Sequence, residues 1–109
     1  MAQQASDTPV LDLLAGMTAL SLEASTLDDQ GIMLARIAAL AAVDAPPISY
    51  SLNLRLAGAS DVTADQIRGV FAAIAPIVGT ARIAAATGNI VRALALEELA
   101  AEAGEDIED

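Results

Sequence analysis

Cysteine, histidine and lysine are all absent from this chain of 109 residues. The chain therefore lacks the usual redox nucleophile, the side chain that titrates near neutral pH and the strongest transition-metal ligands. We expect no catalytic residue, no metal site and no cofactor. The longest uncharged apolar run, from Gly69 to Ala81, contains Pro76 and is too short to cross a bilayer, so no membrane span is expected either.

Positive charge is scarce as well, because five arginines face fifteen acidic residues and leave a formal net charge of -10. Seven of the acids lie in residues 97–109, which contain no base, so the preceding part of the chain is close to neutral. A protein without a basic surface lacks the charge that binds phosphate groups. Neither nucleic acid nor an anionic membrane is therefore an expected partner.

The uneven charge also suggests how the chain is organised. We expect a single all-α domain over residues 1–96, followed by an acidic C-terminal tail over residues 97–109 that completes the last helix and then becomes disordered. No basic segment precedes the apolar stretch that begins at Val10, so no targeting signal is recognised. The expected localisation is cytoplasmic.

Apolar residues recur at helical spacing, and no segment alternates apolar and polar residues as a strand does, so the predicted fold class is all-α. Five helices are expected, over residues 9 to 21–24, 25 or 26 to 44, 46 to 58, 63 to 76 and 79 to 99. The clearest start signal is the capping box of Thr63 and Gln66. Asp44 is expected to cap the third helix, Gly58 to end it, and Pro76 to stop or kink the fourth.

The composition favours association between copies of the chain. Hydrophobic residues make up 55% of it, whereas only 2% are aromatic and 18% are charged. Helices rich in alanine approach one another closely but bury little area, so apolar faces should stay uncovered in an isolated protomer. We therefore expect a homo-oligomer.

A proline corner separates the second and third predicted helices at Asp44-Ala45-Pro46-Pro47. Together with the helix start at Val62–Ile67 and the segment Ile74-Ala75-Pro76-Ile77-Val78-Gly79, this corner resembles the carboxymuconolactone decarboxylase family, which includes the alkylhydroperoxidase-D-like proteins. The resemblance covers roughly residues 27 to 95. It implies an alkylhydroperoxidase-D-like helical fold that assembles into a trimer or a hexamer.

The redox motif of that family is missing from this chain. Its peroxidase-like members carry Cys-x-x-Cys-x-x-x-His at the corner and a glutamate about three turns earlier. Here the two Cys positions fall on Pro46 and Ser49, the His position on Asn53 and the Glu position on Leu34. None of these side chains is a redox centre or titrates near neutral pH, so peroxidase chemistry is not expected.

Four residues are candidates for binding a ligand: Ser49, Tyr50, Asn53 and Arg82. Ser49 and Asn53 share a helix face and could bind a small polar ligand, or else cap the helix and satisfy a neighbouring carbonyl. Tyr50 could offer its hydroxyl to a ligand or pack as a plug at the helix junction. Arg82 could bind an anion near a helix start, or pair with an acid of its own or an adjacent subunit.

Two functions are compatible with these residues. The first is a binding or structural role in a cysteine-free oligomer of the carboxymuconolactone decarboxylase type. The alternative is a non-redox enzyme of decarboxylase, lactone or isomerase type, in which Arg82 or Arg36 would hold the carboxylate of a small organic acid. That enzyme has no obvious general base, because the decarboxylases of the family rely on histidine. Pairing with a Cys-containing paralogue is a third interpretation.

Overall fold

The computed structural model describes residues 7–108, with side chains described as far as residue 96 and at residues 98 and 99. Its elements are five helices, in chain order α1 (Pro9–Ala24), α2 (Asp29–Ala42), α3 (Pro47–Ala59), α4 (Ala64–Val78) and α5 (Thr80–Glu108). Within this described range there is no strand, so the prediction of an all-α chain with five helices is confirmed. None of the described helices is long and apolar enough to cross a membrane.

Two helix starts were predicted correctly from capping chemistry. α1 begins at Pro9, where the missing N–H costs no helical hydrogen bond. α4 begins with the expected capping box, in which the Gln66 N–H donates to Thr63 Oγ1 at 3.1 Å. The Thr63 N–H donates in return to Gln66 Oε1 at 2.9 Å, so two backbone donors that the helix itself cannot satisfy have partners.

The predicted start of α2 is wrong by two or three residues. Asp28 caps this helix, since its Oδ1 accepts a hydrogen bond from the Gly31 N–H at 2.7 Å. Ser25 does not cap it, because its Oγ accepts instead from the Leu27 N–H at 3.1 Å and closes a separate turn. The cap therefore lies nearer to the pair of acidic residues that favour the positive end of the helix dipole.

The end of α2 shows why Asp44 does not cap α3. Asp44 has a left-handed backbone, with φ 56°, and its N–H donates to the Ala41 carbonyl at 3.2 Å. The Ala45 N–H donates to the Leu40 carbonyl at 3.0 Å. These two bonds form a Schellman motif, which ends α2 at Ala42 and leaves α3 without a side-chain cap. The prediction for Asp44 is wrong because the residue belongs to the preceding helix end.

A second Schellman motif ends α3, one residue beyond the expected stop at Gly58. Asp61 has φ 64°, and its N–H donates to the Gly58 carbonyl at 3.1 Å. The Val62 N–H donates to the Ala57 carbonyl at 2.9 Å. An aspartate tolerates the left-handed region better than most residues, so glycine was not needed at this turn.

Pro76 lies inside α4 and does not end it. The helix continues to Val78, and the chain leaves it at Gly79, whose φ of 90° suits a residue without a Cβ. The proline removes one helical hydrogen bond, and it does so in the last turn, where the loss matters least. α5 extends to Glu108, past the end expected near residue 99, and the disorder of the acidic tail stays a prediction.

Helices α2 to α5 pack around one small core. α3 lies against α2 and α5, and α2 also contacts α4 and α5. Ile37 and Tyr50 are the largest side chains that this core encloses completely. Half of its ten buried hydrophobic residues are alanines, which allow close packing but contribute little buried area. α1 differs from the other helices, because no residue along its fully described length is buried.

Candidate functional site

The corner between α2 and α3 is held by two side chains of α5. The Arg82 guanidinium donates to the carbonyl of Ala42, the last residue of α2. The Asn89 amide donates to the Ala45 carbonyl at 3.2 Å. On the same side of α5, Ala86 is buried, so the small side chain lets α5 approach the corner closely. The Arg82 contact satisfies a carbonyl that the last turn of α2 leaves without a helical partner, and the Asn89 contact satisfies a carbonyl of the turn that follows.

Arg82 therefore has a structural role in its own protomer. A cation at a helix C-terminus interacts favourably with the negative end of the dipole, and the hydrogen bond adds to that effect. The sequence suggested an acidic side chain as the partner of Arg82, whereas its partner within the chain is the Ala42 carbonyl. This guanidinium lies outside any cavity that also contains Asn53.

Ser49 and Asn53 lie one turn apart on α3, as the sequence predicts. The Asn53 Nδ2 donates to the Ser49 carbonyl at 2.9 Å, and the Ser49 N–H donates to the Pro46 carbonyl at 3.0 Å. Both residues are half-buried. Asn53 thus satisfies a neighbouring carbonyl, which is one of the two roles expected for it. It also lines the cavity that lies between α1, α2 and α3.

Tyr50 is fully enclosed in the core, with 0% of its surface exposed. Among the described side chains, its hydroxyl and the Ser51 hydroxyl are buried polar groups without a hydrogen-bond partner. Burial raises the pKa of Tyr50, and the negative charge of Asp44 raises it further. A hydroxyl in this position cannot meet a ligand from solvent unless the core opens, so Tyr50 packs as a plug at the helix junction.

A cavity of about 360 Å³ separates α1 from α2 and α3. Leu14 and Met17 of α1 and Leu40 of α2 provide apolar walls, and the polar walls come from Thr18, Ser21, Arg36 and Asn53. Its volume lies at the lower end of the range for small-molecule sites. Of the four predicted ligand-binding residues, Asn53 lines this cavity, whereas Ser49, Tyr50 and Arg82 do not.

Arg36 is the other arginine, beside Arg82, that the sequence suggested could hold a carboxylate. Its Nη2 donates to the Ser21 Oγ at 3.2 Å and to the Thr18 carbonyl at 3.4 Å, so it ties α1 to α2. The side chain is half-buried beside the cavity. In the sequence, Arg36 differs from its surroundings because it is a single arginine on an apolar helix, one turn before Leu40. Its contacts become visible only when the position of α1 is known.

A second concave surface, the α4/α5 groove, was not foreseen. Its volume is about 340 Å³ and its lining is mainly apolar, from Leu54, Val62, Ile67, Phe71, Ile90 and Leu94. Arg68 is the charged residue of the lining, and it forms an exposed ion pair with Asp65 at 3.1 Å. Three helices build this groove, so its existence depends on their crossing geometry and left no local signal in the sequence.

Among the residues that the structure describes, no cluster of three acidic side chains could hold a metal ion. The chain matches no protein-family model, no curated protein and no solved structure. The resemblance to the carboxymuconolactone decarboxylase family therefore stays a prediction. The function of the chain has to be inferred from its own surfaces.

Proposed function

We propose that this protein is a self-associating helical protein with a binding or structural role, a redox-inactive member of the carboxymuconolactone decarboxylase type that forms a trimer or hexamer. One observation carries the proposal. Of the large apolar side chains in the described range, sixteen are exposed and only five are buried in the core. Large exposed apolar patches are rare on proteins that stay monomeric, and seven of these sixteen side chains lie on α1 alone.

The energetic contribution of α1 can be compared with the cost of association. Seven of the sixteen exposed side chains belong to α1, with exposed fractions between 42% and 67%. At roughly 1 kcal/mol for burying the exposed half of each, α1 would supply about 7 kcal/mol. Association costs about 4–15 kcal/mol in lost freedom of motion. Other exposed apolar residues, such as Val91 and Leu94 of α5, must contribute to a stable assembly.

A specific observation also favours the binding of a small organic acid as a second candidate function. Arg36 and Asn53 face the cavity beside α1, and Leu14, Met17 and Leu40 line its apolar walls. An arginine fork suits a carboxylate, and apolar walls suit the remainder of a small acid. This arrangement supports binding without chemistry, because the cavity lining holds no general base that could activate the Ser21 hydroxyl beside Arg36.

Native mass spectrometry of the protein purified from its own source tests both proposals. We expect a trimer or hexamer of the 11.0 kDa subunit, and a bound acid would appear as an added mass. Arg36→Met should remove that added mass, whereas Arg92→Met, which alters an arginine outside this cavity, should retain it. A monomer at micromolar concentration would contradict the self-association proposal.

A further inference from the structure

We infer that α1 of one protomer binds in the α4/α5 groove of a second copy of the chain. This inference rests on the proposed self-association and adds the two surfaces that meet. The groove combines an apolar lining with an open concave shape, and α1 is a helix with no buried residue along its described length. Binding of an amphipathic helix in an apolar groove is a common mode of recognition.

α1 needs a surface that its own protomer does not provide. A helix of 16 residues is marginal on its own in water, and most helix stability in proteins comes from packing an apolar face. Val10, Leu13 and Leu20 have the spacing of one helix face outside the cavity beside Arg36, and they are 67%, 62% and 65% exposed. Arg36 links α1 to α2 through hydrogen bonds to the Thr18 carbonyl and the Ser21 hydroxyl.

The groove is suited to receive this face. Phe71, the aromatic side chain of its lining, has only 8% of its surface exposed, and Ile67 and Ile90 are half-buried around it. Val91 and Leu94 remain 61% and 51% exposed. A helix that occupies the groove would cover these two side chains and fill the space above the phenyl ring, which is the pattern of a buried interface centre.

The charges of the two surfaces are complementary. α1 carries Asp12 and Glu23 and has no basic residue. Arg68 lies in the groove lining, and its ion pair with Asp65 is highly exposed, with side-chain exposures of 72% and 87%. Exposed ion pairs contribute little to stability, so Arg68 can exchange that partner for an acid of α1 at little cost.

The position of α1 favours binding in the groove of a second copy over binding in the groove of its own protomer. Within its own protomer α1 lies beside α2, where Arg36 holds Thr18 and Ser21, whereas the groove is built by α3, α4 and α5. Each protomer therefore offers one helix and one groove on different sides. Such head-to-tail contacts close into rings when the rotation allows it, and each protomer of a ring makes two contacts.

Single cysteines test this contact cleanly, because the natural chain has none. We would mix a Leu13→Cys protomer with a Val91→Cys protomer labelled with ¹⁵N, and treat the mixture with a bismaleimide that spans about 10 Å. That length covers nearly two helical turns, so the exact register of α1 in the groove does not decide the result. Ile77→Cys is the matched control, since Ile77 is 87% exposed but lies outside the groove lining.

The inference predicts that the mixed-label dimer forms at least tenfold more with Val91→Cys than with Ile77→Cys. Equal yields from an assembly of the correct mass would overturn the inference, while the proposed self-association would stand. A protein that is monomeric by light scattering and gives no mixed-label product would overturn both. Light scattering of each cysteine variant before coupling shows whether its assembly is intact.

Discussion

Two glutamates on α1 will convert the assembly into monomers. Leu13 and Leu20 lie two turns apart on the same side of α1, outside the cavity beside Arg36, and are 62% and 65% exposed in the protomer. Leu13→Glu with Leu20→Glu would remove their apolar contribution and place two carboxylates in an interface that excludes water. We expect association to weaken by about 1,000-fold, since a loss of roughly 4 kcal/mol changes an equilibrium constant by that factor.

Sedimentation velocity over a concentration series measures this effect. The variant should sediment as a monomer at concentrations where the natural chain is oligomeric. Ile77→Glu provides the control, because this residue is 87% exposed on α4 yet lies outside the two surfaces assigned to the contact. An unchanged sedimentation coefficient in the α1 variant would show that another face holds the subunits together.

Replacing Tyr50 will have opposite effects on stability, depending on the substitution. Tyr50→Ala should lower the free energy of unfolding by about 3–5 kcal/mol, because it empties a fully enclosed site in a core that has few large side chains. Tyr50→Phe keeps the ring and removes a buried hydroxyl that has no partner among the described residues, so it should raise that free energy by about 1 kcal/mol. Urea unfolding at one fixed protein concentration compares the variants, since association itself adds to apparent stability.

The pH dependence of unfolding provides a separate readout of Tyr50. Burial and Asp44 raise the pKa of Tyr50 in the folded protein, so the unfolded chain loses this proton first, near pH 10. The stability of the natural protein should therefore fall as pH rises above 10, and Tyr50→Phe should not share that part of the loss. A destabilised Tyr50→Phe variant would mean that the hydroxyl has a partner, and would revive Tyr50 as a ligand-binding residue.

Features encoded over a few residues could be predicted from the sequence. The capping box of Thr63 and Gln66 and the start at Pro9 depend on neighbouring groups alone. The ends of α2 and α3 were predicted to within two residues, but the roles of Asp44 and Asp61 in them were missed, because the left-handed position of a Schellman motif usually belongs to glycine.

Features that need two or more helices could not be predicted in the same way. Arg82 was considered as an anion site, but the packing of α5 places its guanidinium on the end of α2. The contact from Arg36 to α1 spans a sequence separation of 15 to 18 residues. The α4/α5 groove depends on how three helices cross, and no run of residues encodes that crossing by itself.

Amide hydrogen exchange of α1 in the natural protein tests the central claim most directly, namely that another subunit covers this helix. Our account predicts that the amides of α1 exchange within about tenfold of those of α2, since a helix packed in an interface opens as rarely as its surroundings. A helix that stays uncovered would be marginal in water, and its amides would exchange orders of magnitude faster than those of α2 at every protein concentration. That second result would contradict the account.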